Sequence, residues 1–253
     1  MKGLVLAAGL GTRLRPLTDR LPKPLIPVLG RPCVERILTS FAALGIADVA
    51  INTHHLPEAL HAALGDGANL GVRLHWQHEP ALLDGCGTLR SFDWLFGDEP
   101  VLCANGDFVH DLDLPALLAA HRESGALLSL SAAGTTPAMG WDADGWLRAI
   151  RNVGWDDPSM VQRGDFNGFL VAEPAVWREW IPPGVPYHLS LDLCPRLLAA
   201  GVPVHVHATS GLWAPIGTRA ELDAAAALLL QRRCARYLLT AEEAAPGVFC
   251  EPH

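Results

Sequence analysis

Lysine is almost missing from these 253 residues: it occurs only as Lys2 and Lys23, in a chain of net charge −8. With acidic residues in excess and a pI near 5.7, there is no basic face to coat a nucleic acid, and any cationic site must be local. The six cysteines (Cys33, Cys86, Cys103, Cys194, Cys234 and Cys250) form no CxxC pair and no zinc spacing with histidine. They read as buried or incidental thiols of a reducing compartment. No stretch approaches the ~20 apolar residues of a membrane-spanning helix. The N-terminal apolar run is cut by Gly9 and Gly11 and followed by Arg13 and Arg15, which makes a poor signal peptide. The expectation is a cytoplasmic protein that engages neither membrane nor nucleic acid.

Apolar residues are plentiful, at half the chain, enough to bury a full core. The continuous run at 3–8 reads as a strand buried on both faces. Residues 33–45 carry Val34, Ile37, Leu38, Phe41 and Leu44 at helical spacing, closed by Gly45. Strands follow at 48–53, 72–78 and 101–104, with a helix at 57–65. A glycine-containing turn at 82–88 leads into a helical segment at 89–97. This alternation, running to about residue 135, predicts an α/β fold with a mostly parallel central sheet and ligands at the strand carboxyl ends. A hairpin turning on Asp144-Gly145, a strand at 166–174, helices at 188–201 and 218–239, and a strand at 203–208 complete the reading. With no repeat and no composition break, one domain is expected over 1–240, followed by a loose tail at 241–253.

The informative segment is "LVLAAGLGTRLRPLTDRLPKPLIPV", residues 4–28. Glycines directly after a buried strand let backbone approach a ligand, and their N–H groups can cradle phosphate oxygens. A dinucleotide fingerprint would need a third glycine where Leu14 stands, and a P-loop would need a closing Gly-Lys-Ser/Thr, which is absent. Instead Arg13 follows at once, and Lys23 is set between Pro22 and Pro24 in a backbone too proline-rich for helix. Prolines reduce the entropy lost when such a loop clamps a ligand. Later, "VLCANGD" places Asp107 just past the end of a buried strand, where a metal-binding carboxylate would sit.

Together "LAAGLGTRLRPLT" and "PKPLIPV" resemble the signature of the nucleoside-triphosphate sugar-1-phosphate nucleotidyltransferases. These have a Rossmann-like domain that joins a sugar phosphate to a nucleoside monophosphate and releases pyrophosphate. The resemblance implies that Leu6, Ala7, Ala8 and Gly9 line base and ribose, and that Gly11, Thr12 and Arg13 hold the triphosphate. It also implies that Lys23 bridges the phosphates of both substrates and that Asp107 binds Mg2+. "EPALLDGCGTL" is similar to the family's base-reading segment and keeps Gly87, with Asp84 where many members have glycine. An acid there resembles the N-acetylmuramate-1-phosphate uridylyltransferases; the mannose-1-phosphate guanylyltransferases are also similar in motif. Asn167-Gly168 matches the sugar-contacting segment, with Asn105 as a second sugar contact. The implied partners are a nucleoside triphosphate and a sugar 1-phosphate, with uridylyl or guanylyl transfer and a role in cell-envelope or secondary-metabolite glycosylation. Monomer and homo-oligomer both stay open.

The chain departs from the pattern in two places. The family's Trp-x-Asp-Ile-Gly-Thr reads Trp213, Ala214, Pro215, Ile216, Gly217, Thr218, so its second metal-binding aspartate is a proline. The Glu-Lys-Pro whose lysine often contacts the sugar phosphate is missing near "RNVGWDDPSM". Asp192 or Glu173 is a candidate replacement ligand. Two alternatives follow: a catalytically impaired homologue that binds a nucleotide sugar and regulates a partner, and a cytidylyltransferase for a small phosphate or phosphonate.

Overall fold

The computed structural model describes residues 1–134 and 137–232. Its strands are β1 (Lys2–Leu6), β2 (Pro27–Val28), β3 (Arg31–Pro32), β4 (Asp48–Thr53), β5 (Arg73–His78), β6 (Val101–Asn105), β7 (Phe108–His110), β8 (Leu128–Ala133), β9 (Met139–Trp141), β10 (Leu147–Ile150), β11 (Gln162–Ala172), β12 (Val204–Ala208) and β13 (Trp213–Pro215). Its α-helices are α1 (Cys33–Ala43), α2 (Pro57–Leu64), α3 (Asp84–Ser91), α4 (Asp93–Phe96), α5 (Leu114–Ser124), α6 (Cys194–Ala199) and α7 (Arg219–Arg232). The helix boundaries follow local chemistry. Pro57 opens α2 at a position whose N–H has no helical partner. The Asp113 carboxylate accepts from the Ala116 N–H to cap α5, and Gly125 ends that helix in the left-handed region at φ 63°.

The main sheet runs β5-β4-β1-β6-β11-β8-β12. β5, β4, β1 and β6 are mutually parallel, as are β8 and β12, while β11 is antiparallel to both of its neighbours β6 and β8. The first half of β11 extends beyond this sheet and pairs with the β9–β10 hairpin, whose turn carries Gly145 at φ 86°. Alternation along the strands feeds two cores. Leu4, Ala50 and Cys103 face Leu89, Phe92, Phe96, Trp177 and Leu197. Val5, Val49, Ile51 and Leu102 face Val34, Ile37, Phe41, Leu60 and Leu117. A third cluster joins Leu14 and Ile26 of the N-terminal segment to Val109, Ala214 and Ile216 and to Ala225 and Leu229 of α7.

Two expectations change. Residues 82–88 are not a turn before a helix; α3 itself begins at Asp84, whose backbone is left-handed at φ 56°. Glu173 follows the end of β11, and because that strand runs against the others, Ala172 lies beside Val101 at the opposite edge from the carboxyl ends. There Glu173 pairs with His121 at 3.1 Å, so it is no replacement metal ligand. The remainder of the helix expected to 239, the boundary at 240 and the tail lie outside the described residues, as do Cys234 and Cys250. Among the described residues no helix is long and apolar enough to cross a membrane.

Candidate functional site

At the carboxyl end of β1 the chain passes through Ala7, Ala8 and Gly9. The Ala7 N–H donates to Asn52 Oδ1 at 2.7 Å, which turns this short segment toward the end of β4. The Asn52 amide continues into a buried polar cluster: Nδ2 donates to Glu79 Oε1 at 2.9 Å and to Thr88 Oγ1 at 3.1 Å. The Thr88 hydroxyl donates to Glu79 Oε1, and the Leu83 N–H to Glu79 Oε2 at 3.0 Å. Among the described residues no cation forms an ion pair with Glu79, and hydrogen-bond donors satisfy both oxygens of this buried side chain. The sequence carries no local signature of this cluster, because Asn52, Glu79 and Thr88 lie on separate segments of the chain.

One strand over, Gly106 lets the chain turn tightly. Its N–H donates to the Leu6 carbonyl at 2.9 Å, and a Cβ there would lie 2.8 Å from that oxygen and 3.3 Å from Pro24 Cβ. The turn presents Asp107, whose carboxylate is ion-paired with Lys23 Nζ. Lys23 opens a single 3-10 turn, Lys23–Leu25, anchored by buried Pro24 and Leu25. Position 215 is the neighbour on the other side. Pro215 pairs with Phe108 across the β13–β7 ribbon, and the Ile216 N–H donates to the Asp107 carbonyl at 3.1 Å. The family's missing carboxylate would thus stand beside Asp107. Asp192 instead accepts from the His188 N–H at 2.7 Å and lines neither cleft described next.

Two adjoining clefts open at these strand ends. The smaller, about 230 Å³, is lined by Leu6, Ala8, Gly9, Lys23, Asp107 and the Asn52–Glu79–Thr88 cluster, among others. The larger, about 310 Å³, lies under the β9–β10 hairpin and the π-helical turn Leu189–Leu193, and includes Met139, Ile150, Arg151, Phe166, Gly168 and Ser190. Leu6, Asp84, Gly85 and Asn105 line both and form the partition between them. Cys86 and Cys103 line the larger cleft; burial pushes the Cys103 thiol up to about 12 and the Cys86 thiol well above its usual value, so neither is a thiolate nucleophile at neutral pH.

The remaining expected residues lie further out or deeper. Gly11, left-handed at φ 62°, leaves no room for a Cβ, which would meet Thr18 Cγ2 at 2.8 Å and Lys23 Cβ at 3.2 Å. Thr12 and Arg13 are exposed, and the Arg13 guanidinium lies against Gly217 at the start of α7, with Nη2 2.7 Å from where a Cβ would be. None of these three lines either cleft. Gly87 is buried behind the partition, where a Cβ would come 2.5 Å from the Val185 carbonyl oxygen; Gly85 is the glycine that faces the ligand space. Asn167 is fully buried and donates to Thr209 Oγ1 at 2.8 Å. Its neighbour Gly168, at φ 94° where the β11 register shifts, reaches the larger cleft.

Residues 2–141 match the family model described as nucleotidyl transferase. The chain is 31% identical over 269 residues to a UTP–glucose-1-phosphate uridylyltransferase of Synechocystis, covering 98% of this chain and 68% of that protein. It is 40% identical over 117 residues to an N-acetylmuramate alpha-1-phosphate uridylyltransferase of Neisseria meningitidis, covering 46% and 51%. It is 31% identical over 221 residues to a mannose-1-phosphate guanylyltransferase of Mycobacterium tuberculosis, covering 85% and 60%. The fold matches that of a Bacillus anthracis protein provisionally named a glucose-1-phosphate thymidylyltransferase, with a TM-score of 0.75 at 22% identity over 90% of this chain and 94% of that one.

Proposed function

This chain belongs to the nucleotidyl transferase family, and from that premise we propose that it transfers a nucleoside monophosphate from a nucleoside triphosphate to a sugar 1-phosphate, releasing pyrophosphate. The observation that carries the reading is the Lys23–Asp107 pair on the wall of the smaller of two clefts that share a partition. Such a reaction needs two polyanions held in line. An ionised phosphate oxygen of the acceptor attacks the α-phosphorus of the triphosphate. The new P–O bond forms there, the bond to the bridging oxygen breaks, and pyrophosphate leaves with that electron pair. The nucleophile is already ionised at neutral pH, so no protein base or thiolate is needed, and catalysis comes from orientation and charge neutralisation.

In this reading the smaller cleft takes the nucleotide. Base and ribose lie on Leu6, Ala7, Ala8 and Gly9, and the phosphates extend toward Gly11, Thr12 and Arg13. The larger cleft takes the sugar, with Asn105 and Gly168 in reach, while Gly87 and Asn167 act from behind by holding α3 and β11. Lys23 neutralises charge where the two substrates meet. Mg2+ binds with one or two carboxylates and completes its shell with substrate phosphates and water. Asp107, on the wall of the nucleotide cleft, fits that requirement as a single protein carboxylate. When bound there with the nucleotide, the ion would neutralise phosphate charge. The printed names of the relatives favour a uridylyl or guanylyl donor.

The test is pyrophosphate release, with and without magnesium, across four nucleoside triphosphates and a panel of sugar 1-phosphates including those of N-acetylmuramate and mannose. Turnover with one pair supports the proposal and names both substrates. Failure with every pair, beside measurable nucleotide-sugar binding, would replace it with a binding-only protein, the second reading that Pro215 beside Asp107 favours.

A further inference from the structure

The acceptor cleft is walled mostly by apolar side chains, yet on the reading above it must take an anion. Its lining includes one arginine and no lysine, and the arginine is Arg151. The residue sits just past β10 with its backbone left-handed at φ 55°. That conformation is uncommon outside glycine, and such strain persists only where the surroundings hold it. Here three bonds do so. The Arg151 N–H donates to the Ala138 carbonyl at 3.1 Å. Its own carbonyl accepts from the Trp155 indole N–H. Its Nε donates to Ser190 Oγ at 2.9 Å across the cleft, and the Ser190 N–H donates to His188 Nδ1 at 3.1 Å. Ala138, His188 and Ser190 also line the cleft.

The bond through Nε steers the guanidinium, and among the described residues neither terminal nitrogen forms a hydrogen bond. Among the described residues no carboxylate forms an ion pair with Arg151, whereas Arg148, three residues earlier, is committed to Asp142 at 2.5 Å. The cleft also holds the carboxylates of Asp84 and Asp165, yet neither is ion-paired with Arg151, and an arginine with a two-pronged edge so left can accept a planar or tetrahedral oxyanion. We propose that Arg151, oriented by Ser190, binds an anionic oxygen group of the acceptor. The group is either the sugar's 1-phosphate or a carboxylate substituent on the sugar. This inference rests on the assignment of the larger cleft to the acceptor.

Arg151→Gly is the decisive variant, because glycine removes the guanidinium and relieves the left-handed backbone together. Calorimetric titration with glucose 1-phosphate and with N-acetylmuramate 1-phosphate reads acceptor binding without requiring turnover. The expected result is a loss of acceptor affinity of about 10- to 100-fold, with melting temperature unchanged or raised and affinity for the nucleoside triphosphate within about twofold of wild type. Arg151→Lys recovers part of the loss as a point charge, and Ser190→Ala costs a few-fold. Equal loss for both ligands identifies the 1-phosphate as the bound group; loss confined to the N-acetylmuramate compound identifies the carboxylate. Unchanged acceptor affinity in Arg151→Gly, or an equal loss of nucleotide affinity, overturns the inference even if the enzyme turns over. Wild-type protein that binds neither sugar phosphate overturns the inference and the acceptor assignment together. Binding that depends on Arg151 without pyrophosphate release would sustain the inference and sink the transferase reading.

Discussion

Lys23 and Asp107 define the site at the scale of the residue, and Pro215 sets its limits. In the proposed reading, a proline at 215 would leave Asp107 to hold Mg2+ with substrate phosphates and water completing the shell. Because β13 pairs Pro215 with Phe108 and ties Ile216 to the Asp107 carbonyl, an aspartate at 215 enters an existing place rather than a new one. Pro215→Asp is therefore expected to lower the magnesium concentration for half-maximal activity by roughly tenfold, about 1.4 kcal/mol of added binding. A magnesium titration of initial rate checks it, and an unchanged midpoint would mean that position 215 does not face the metal. The same variant is expected to bind Mn2+ without nucleotide more tightly than wild type.

At the scale of the element, the β1–β6 edge carries the geometry. Gly106 is where one strand's end closes on the other, and Gly106→Ala would push a methyl group to 2.8 Å from the Leu6 carbonyl. The expected outcome is a loss of about 1–3 kcal/mol of stability, seen as a lower denaturation midpoint, together with a fall in kcat as Asp107 shifts away from Lys23. These parts were legible in the sequence for a physical reason: a buried parallel strand is a continuous apolar run, and glycine or aspartate at its end has few other uses. The polar cluster of Asn52, Glu79 and Thr88 was not legible, since its members are separated in the chain and meet only when β4, β5 and α3 pack. Gly87 and Asn167 show the converse. Each belongs to a recognisable motif, but one side of an element faces ligand space and the other faces core, and both sit on the core side. Arg151 escaped notice because its left-handed backbone and its bond to Ser190 are tertiary facts.

For the whole molecule, stability has its own pH dependence. Burial depresses the pKa values of His205 and His207, both on β12, below the usual histidine value. The unfolded chain therefore takes up protons first as pH falls below ~6.5, and folded stability declines across that window. Urea midpoints at pH 7.5 and pH 5.5 should show the drop, and the double variant His205→Gln/His207→Gln should flatten it. Hydrogen bonds from Arg73, His75 and Lys2 hold the Asp48 carboxyl well below its usual range. That contribution is present above ~3.9 and is lost only as pH falls further, so the two effects are separable on one pH series.

The central claim is that Lys23, on the wall of the smaller cleft, neutralises charge in transfer between two bound phosphates. Pyrophosphate release by wild type and by Lys23→Ala, with both substrates saturating, tests it most directly. The account expects the variant to keep its fold and lose at least about 100-fold in kcat; a variant that releases pyrophosphate at the wild-type rate would contradict it.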